Sequence, residues 1–389
     1  MHYKEHRAKS YSYSFLDNKL INLVTPLLDT HIPSNEVIVF VEQTELAKLD
    51  AIRAVLNPRG ISLNFKVMPQ TRNTEELVSY FHQEIDSLVT HNHKTLYAFN
   101  ASCGDRQHVL AMYEVVRAYE FECFMVEPNS DELHWLVPSE RKNTQLADKL
   151  KIRDFFALID SQINNIANTG NVDIRYRKLG AKWAASQDDL GQALGNLNYL
   201  AASSDNAKLT SAVLNRSQLN CADLQTLIDD LEDAELVCRN NDRLVFKNEE
   251  ARFFANGGWL EEYVYGLLLS LKKEVPHIQD IAQGVEITRR NGHGTLVNEL
   301  DIVIMANNKL HLIECKTKKF DKGEGNQVIY KLDSLTDLLG GIQARAALIS
   351  YKGIRTHEQL RAKELEIELF SENELAQLKE KLKTWLAQA

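Results

Sequence analysis

NELDIVIMANNKLHLIECKTK, residues 298–318, consists of two β-rich runs either side of Asn307-Asn308. Asparagine reaches positive φ at low cost, so the pair suits the two-residue turn that joins twisted antiparallel strands. With the turn there, Ala306 faces Lys309, and pairing outward sets Asp301 opposite Glu314, their Cβ atoms about 5 Å apart. Lys316, two residues beyond Glu314, shares that face. Ile302, Ile304, Leu310 and Leu312 predict a buried sheet, where a charged face needs a chemical reason.

Two facing carboxylates raise each other's pKa unless a cation lies between them. Hard oxygen donors suit Mg²⁺ or Mn²⁺. A neighbouring lysine can orient water and stabilise charge on a phosphorane-like transition state. The set therefore suits metal-assisted phosphodiester hydrolysis. The same residues also fit a solvated hairpin face with a cross-strand Lys–Glu contact. A third acid lies upstream in GGWLEEYVYGLLLSL, residues 257–271. At 100° per residue Leu260, Val264, Leu267, Leu268 and Leu271 form one stripe, with Glu261 about 60° from Val264 at its edge. Glu262 points away and is expected to be solvated.

Outward from the hairpin, the C-terminal third reads as α/β. A helix is expected over 257–273, strands near 284–289, 299–305, 310–316 and 346–351, and helices near 327–340 and 372–387. The first 165 residues alternate apolar runs (10–16, 36–41, 61–67, 94–100, 122–128) with helical patterns around 20–29, 44–56, 74–89 and 104–119. That alternation predicts a parallel, doubly wound, Rossmann-like sheet, with ligands held beyond the carboxyl ends of its strands. Between them, LGAKWAASQDDLGQALGNLNYLAA and a helix near 221–235 precede ELVCRNNDRLVF, two β-runs about an Asn-Asn-Asp turn, the outline of a winged helix. Its second helix, ADLQTLIDDLEDAEL, is acidic and would repel phosphates, so a connector is favoured over a DNA reader. The expected domains are 1–165, 166–250 and 251–389.

The 389 residues carry a formal net charge of −9, so a polyanion site must be a local patch. Lys309, Lys316, Lys318, Lys319 and Lys322 form such a patch around the hairpin's second strand. Five cysteines without a CxxC pair suggest neither a disulfide framework nor a zinc knuckle. MHYKEHRAKSYSYSF has no apolar leader core, and no run approaches the roughly 18 apolar residues of a membrane span. A soluble, cytoplasmic protein is expected.

The fourth apolar run leads into FNASCGDRQHVLAMYEV, a small-residue loop opening an amphipathic helix. Backbone N–H groups and the helix N-terminus can face a phosphate there, with Arg106 as a bidentate donor. Neither GxGxxG nor the P-loop pattern is present, which counts against NAD or ATP.

The helix start ending in Glu261, then Asp301, then Glu314-Cys315-Lys316 resembles the PD-(D/E)XK, restriction-endonuclease-like superfamily. The resemblance implies that Asp301 and Glu314 ligate Mn²⁺ or Mg²⁺, Glu261 supports the metal shell, and Lys316 assists the attacking water. It also suggests Lys331 as an extra phosphate contact. Asn100-Ala101-Ser102-Cys103-Gly104-Asp105-Arg106 resembles the Asn-x-Thr-Gly-Gly-x-Lys loop of CARF domains, sensors of cyclic oligoadenylates. Here Ser replaces Thr, Cys the first Gly and Arg the Lys, leaving the ring size of the ligand open. In such domains Asp17 and Asn18, after the first strand, also face ligand. A CARF sensor, a winged-helix-like connector and this nuclease, in this order, resemble the type III CRISPR ancillary nucleases over essentially the whole chain. That implies a homodimer allosterically activated by cyclic tetra-adenylate that nicks DNA and, in some members, cuts single-stranded RNA. Two alternatives use the same residues: a CARF-type transcriptional regulator with a degenerate last domain, and a constitutive repair or restriction nuclease.

Overall fold

Five apolar runs pair in parallel in the computed structural model, which describes residues 10–18, 20–29, 32, 34–89, 95–204, 208–291, 294–321 and 323–387. They are β1 (Ser10–Phe15), β2 (Glu36–Val41), β3 (Ser62–Val67), β4 (Leu96–Asn100) and β5 (Glu122–Glu127). Their order is 3-2-1-4-5, which reverses between β1 and β4. Helices at Leu20–Val24, Leu49–Leu56, Thr74–Leu88 and Arg106–Ala118 connect them. The reversal opens a crevice at the carboxyl ends of β1 and β4. Phe15 meets Phe40, Phe81 and Phe99 at ring-centroid distances of 5.6, 5.6 and 5.9 Å in the core beneath. Two strands not expected from the sequence, β6 (Glu132–Val137) and β7 (Thr144–Gln145), extend the sheet antiparallel. β7 has two residues, too few for any periodicity.

The chain divides into two compact units, residues 1–162 with 288–296, and residues 163–287 with 297–389. The second contains a six-stranded sheet. β8 (Ser161–Asn168) forms one edge, followed by β11 (Ile278–Asn291), β12 (Gly294–Ala306), β13 (Lys309–Lys316), β14 (Ala344–Ser350) and β15 (Glu368–Ser371). β12 and β13 pair antiparallel from Ala306↔Lys309 to Ile302↔Ile313, the expected register. Asn307 and Asn308 have φ of 50° and 54°, as the turn requires. β14 runs parallel to β13, and β15 parallel to β14. The helices Glu324–Leu339 and Thr356–Glu364 make the two crossovers.

β11 and β12 are longer than expected. The first residues of β12 are largely exposed, so no apolar alternation marks them. In β11, Gly284 (φ +60°) interrupts the pattern, where a Cβ would lie 2.7 Å from that of Ala167 on β8. The helix expected from Gly257 begins at Trp259, because Gly257 has φ +103° within a wide turn over Phe254–Gly258.

The winged-helix outline is present as helices Gln187–Ala202, Arg216–Leu219 and Ala222–Asp233, then β9 (Val237–Asn240) and β10 (Arg243–Phe246). On the wing, Arg239 pairs with Asp229 at 2.6 Å and with Glu232, both on the acidic helix. These helices share one apolar core with the C-terminal sheet. Trp183 packs edge-on against Trp259 at 5.7 Å. A Cβ on Gly180 would lie 2.9 Å from that of Tyr263, so the helices Ile174–Ala185 and Trp259–Glu274 approach closely.

His311 on β13 is fully buried, with Nδ1 3.2 Å from the Lys309 carbonyl and its ring edge-on to Trp385 at 5.1 Å. Burial lowers its pKa to about 3, so the imidazole is neutral in the fold. Between that value and about 6.5 the unfolded chain binds the extra proton, so stability is lost as pH falls through this window. From pH 7.5 to 5 the His311 contribution is about 2 kcal/mol. Urea titrations should show a shallower acid loss for His311→Phe than for the natural chain. Parallel pH profiles would exclude this assignment.

Candidate functional site

Hairpin register and the helix Trp259–Glu274 bring the expected residues together within the second unit. Asp301 Oδ2 accepts the Cys315 backbone N–H at 2.8 Å, which ties its carboxylate across the hairpin. Lys316 Nζ lies 2.6 Å from Glu314 Oε1 and 4.0 Å from Asp301 Oδ2. Lys331, on the helix Glu324–Leu339, reaches 4.0 Å from Glu314 Oε1. Glu314 is buried, Asp301 half-buried by surface area, and Cys315 turns its buried thiol to the opposite face.

Burial pushes the Glu261 carboxyl far above the usual carboxylate range, and the nearby Asp301 charge adds to this. Burial also raises Asp301, with Glu314 the next cause. Burial opposes the Lys316 charge, but Glu314 and Asp301 outweigh it and raise the ammonium pKa. Glu261, Asp301 and Glu314 thus feel one another's charge, with the Lys316 ammonium among them. Among the described residues, no three His, Cys, Asp or Glu side chains are grouped to hold a metal ion. The Lys316 ammonium lies against Glu314 instead.

Two expectations need correction. Glu262 is half-buried and accepts from Gln283 Nε2 at 3.1 Å. The reason is the early start of β11, which puts Gln283 under the helix. Lys309 is buried at the turn end of β13, away from Lys316, and does not contribute to a basic lip. Lys318 and Lys319 are exposed, and Lys322 lies outside the described residues. Sequence reasoning also passed over Glu299, an exposed acid whose charge raises both Glu261 and Asp301. Its position two residues before Asp301, hence on the same strand face, was the available signal.

In the first unit, the loops after β1 and β4 meet at the switch point. Gly104 N–H donates to Asp17 Oδ2 at 2.8 Å. Gly104 has φ +108°, and a Cβ there would lie 2.6 Å from that of Phe15, so only glycine fits. Asn100 is buried; its Oδ1 accepts from Ser102 N at 3.0 Å and its Nδ2 donates to Asn22 O at 2.9 Å. Ser102 Oγ accepts from Val126 N at 2.7 Å, and Asp105 caps the following helix through Gln107 N at 2.9 Å. Cys103 is buried, and Arg106 is exposed at the first helical turn. Asn18 Oδ1 accepts from Lys48 Nζ at 2.5 Å. Asn100, Ser102, Asp105 and Asp17 thus shape the loop through internal hydrogen bonds. A cavity of about 360 Å³ opens beside it, lined in part by Glu42, Thr71, Arg72, Asp105, Gln107 and His108. Of these, only Asp105 was expected.

Residues 248–389 match the family described as Card1-like, endonuclease domain. Over its whole length the chain is similar to the crystal structure of protein VC1899 from Vibrio cholerae. The two are 37% identical with a TM-score of 0.89, covering 97% of this chain and 98% of that one. The chain belongs to the VC1899 family. Its C-terminal region is a Card1-like endonuclease domain, and that domain contains Glu261, Asp301, Glu314 and Lys316. No curated protein matches the chain. The fold also matches Can2 from Sulfobacillus thermosulfidooxidans, whose structure is a complex with cyclic tetra-adenylate. Identity there is 23% and the TM-score 0.76, covering 97% of this chain and 99% of Can2. A type III CRISPR defence DNA nuclease activated by cyclic oligoadenylate shares the fold at 11% identity and a TM-score of 0.55. That match covers 93% of this chain and 50% of the nuclease. The architecture is therefore α/β, with a CARF-type domain ahead of a nuclease domain.

Proposed function

We propose that the chain is a cyclic-oligoadenylate-activated, divalent-metal-dependent endonuclease of PD-(D/E)XK type acting in type III CRISPR defence. The observation that carries this is the hairpin geometry, which sets Asp301, Glu314 and Lys316 on one buried face beside Glu261. We assign the sensor to residues 1–165, the connector to 166–250 and the nuclease to 251–389. The working form is a cytoplasmic homodimer, with DNA as substrate by nicking and single-stranded RNA as a second.

The donor set suits a hard divalent ion, since it is all carboxyl and a divalent cation would relieve the crowding that raises Glu261 and Asp301. Asp301 and Glu314 would hold Mn²⁺ or Mg²⁺, with Glu261 completing the shell. Once bound, the ion supplies Lewis-acid stabilisation of the phosphoryl oxygens. The chain supplies the rest. The Cys315 N–H fixes the Asp301 carboxylate, Lys316 orients the attacking water and neutralises charge developing on phosphorus, and Lys331 meets a backbone phosphate. Lys318 and Lys319 add sequence-independent attraction for the polyanion.

In the sensor, the Arg106 guanidinium and the helix N-terminus it opens meet the phosphates of cyclic tetra-adenylate, with Asp17 and Asn18 on the facing loop. The likeness to Can2, solved with that ligand, supports this choice. Supercoiled plasmid incubated with the protein, Mn²⁺ and cyclic tetra-adenylate should be nicked, and EDTA should abolish nicking. Undiminished cleavage in EDTA would refute the metal-dependent mechanism.

A further inference from the structure

Asn198 is an amide on the buried side of the connector helix Gln187–Ala202, among Leu194, Leu197 and Ala201. It is 4% exposed. Burial of an amide in such a setting is costly unless its hydrogen bonds are met. Here they are met by three separate elements. Thr317 Oγ1 lies 3.2 Å from the amide; the orientation that satisfies both amide atoms turns the oxygen toward Thr317, and Asn198 then donates to Leu194 O and to Ala255 O at 3.1 Å each. Its oxygen accepts from Thr317 Oγ1 at 3.2 Å. Leu194 belongs to the connector helix itself. Ala255 lies in the wide turn that launches the helix bearing Glu261, and Thr317 directly follows Lys316.

The same turn presses on the strand end. A Cβ on Gly257 would lie 2.5 Å from Thr317 Oγ1 and 3.6 Å from the end of the Asn198 side-chain amide. The positive φ of Gly257 lets the backbone approach the threonine hydroxyl this closely. One buried amide therefore joins the connector to both chain segments that present the carboxylate–lysine cluster.

We propose that Asn198 is a positioning residue that couples the connector helix to the Glu261 helix and the Lys316 strand end at once. It touches no reacting atom. Its amide sets the relative placement of two site elements far apart in sequence, so a shift of the connector helix is felt by both. The inference rests on the nuclease reading for its kinetic consequence, but not for its structural one. A misplacement of about 1 Å at reacting groups can cost about 10²-fold in rate.

Two variants and two measurements test this. In Asn198→Ala, and in Thr317→Val, which keeps shape while removing the hydroxyl, kcat for ligand-activated plasmid nicking should fall about 10–100-fold. KM for DNA should stay within about 2-fold, because Lys318, Lys319 and Lys331 are untouched. Amide hydrogen exchange in 254–261 and in 316–318 should accelerate together by about 10-fold, the size of one lost hydrogen bond. Asn198→Ser, which keeps one donor, should recover part of the rate. If Asn198→Ala does not fold, Thr317→Val alone carries the test. Wild-type kcat in Thr317→Val, or faster exchange in only one segment, would overturn the coupling. If the natural chain cuts nothing, the nuclease reading fails, and the exchange measurement still decides whether Asn198 ties the two segments.

Discussion

Lys316→Ala should lower activated phosphodiester cleavage on the order of 10²–10³-fold, the loss typical of removing one preorganised charge-stabilising group. Binding of cyclic tetra-adenylate to the sensor should be unaffected, because Lys316 lies in the other compact unit. The argument starts from the 2.6 Å contact with Glu314 and the 4.0 Å approach to Asp301. Removing the ammonium leaves buried carboxylates without their nearest cation, and breaking one side of a buried pair is costly. Without metal, the variant should therefore melt earlier than the natural chain. Mn²⁺ should then raise its melting temperature more than it raises that of the natural chain, because linkage stabilises whichever state holds the ion. Glu314→Ala should lose cleavage to a similar degree and show a smaller Mn²⁺ shift, since it removes a ligand. Wild-type cleavage by either variant would refute the site assignment. A Mn²⁺ shift retained in full by Glu314→Ala would remove Glu314 from the ligand set.

Local chemistry set what the sequence could reveal. The Asn307-Asn308 turn specifies a two-residue hairpin, and the turn fixes register, so the Asp301–Glu314–Lys316 face follows from counting. Of the parallel strands, β2 is legible because a buried parallel strand reads as an unbroken apolar run, here EVIVFV. What escaped notice is non-local or unpatterned. The early part of β12 is exposed on both faces, so alternation gives no signal, and Glu299 went unremarked with it. Glu262 was misread because its partner Gln283 lies on a stretch of β11 masked by Gly284. Charge counting put Lys309 in a lip from which its burial at the turn removes it. The contact between Asn198 and Thr317 spans 119 positions, and no periodicity links such residues. In the sensor loop, residue types were right for contacting a polar ligand, yet Asn100 and Ser102 direct their side chains to Asn22 and Val126. Hydroxyls and amides serve loop architecture and ligand binding equally well, and sequence does not separate the two.

Withholding cyclic tetra-adenylate should lower plasmid nicking about 10–100-fold at fixed Mn²⁺, the range of common allosteric couplings. The physical basis is a differential affinity: the ligand shifts the equilibrium only as far as it binds the active arrangement more tightly. Two features of the first unit make the 100–106 loop suitable for this. Its backbone is set by the Gly104–Asp17 and Ser102–Asn100 hydrogen bonds, so a ligand would meet a loop already shaped. The exposed Arg106 supplies a fixed planar fork at the helix start. Arg106→Ala should therefore raise the half-activating ligand concentration about 10-fold or more, as loss of a charge-assisted hydrogen bond does. Reciprocity adds a check independent of catalytic rate: saturating non-cleavable DNA should tighten ligand binding by the factor by which ligand tightens DNA binding. Cyclic tri- and hexa-adenylate, run beside the tetramer, report the ring size the loop accepts. Equal nicking with and without every cyclic oligoadenylate would exclude gating and leave a constitutive nuclease. Unchanged activation in Arg106→Ala would move the ligand away from this loop, toward the cavity lined by Arg72 and Gln107.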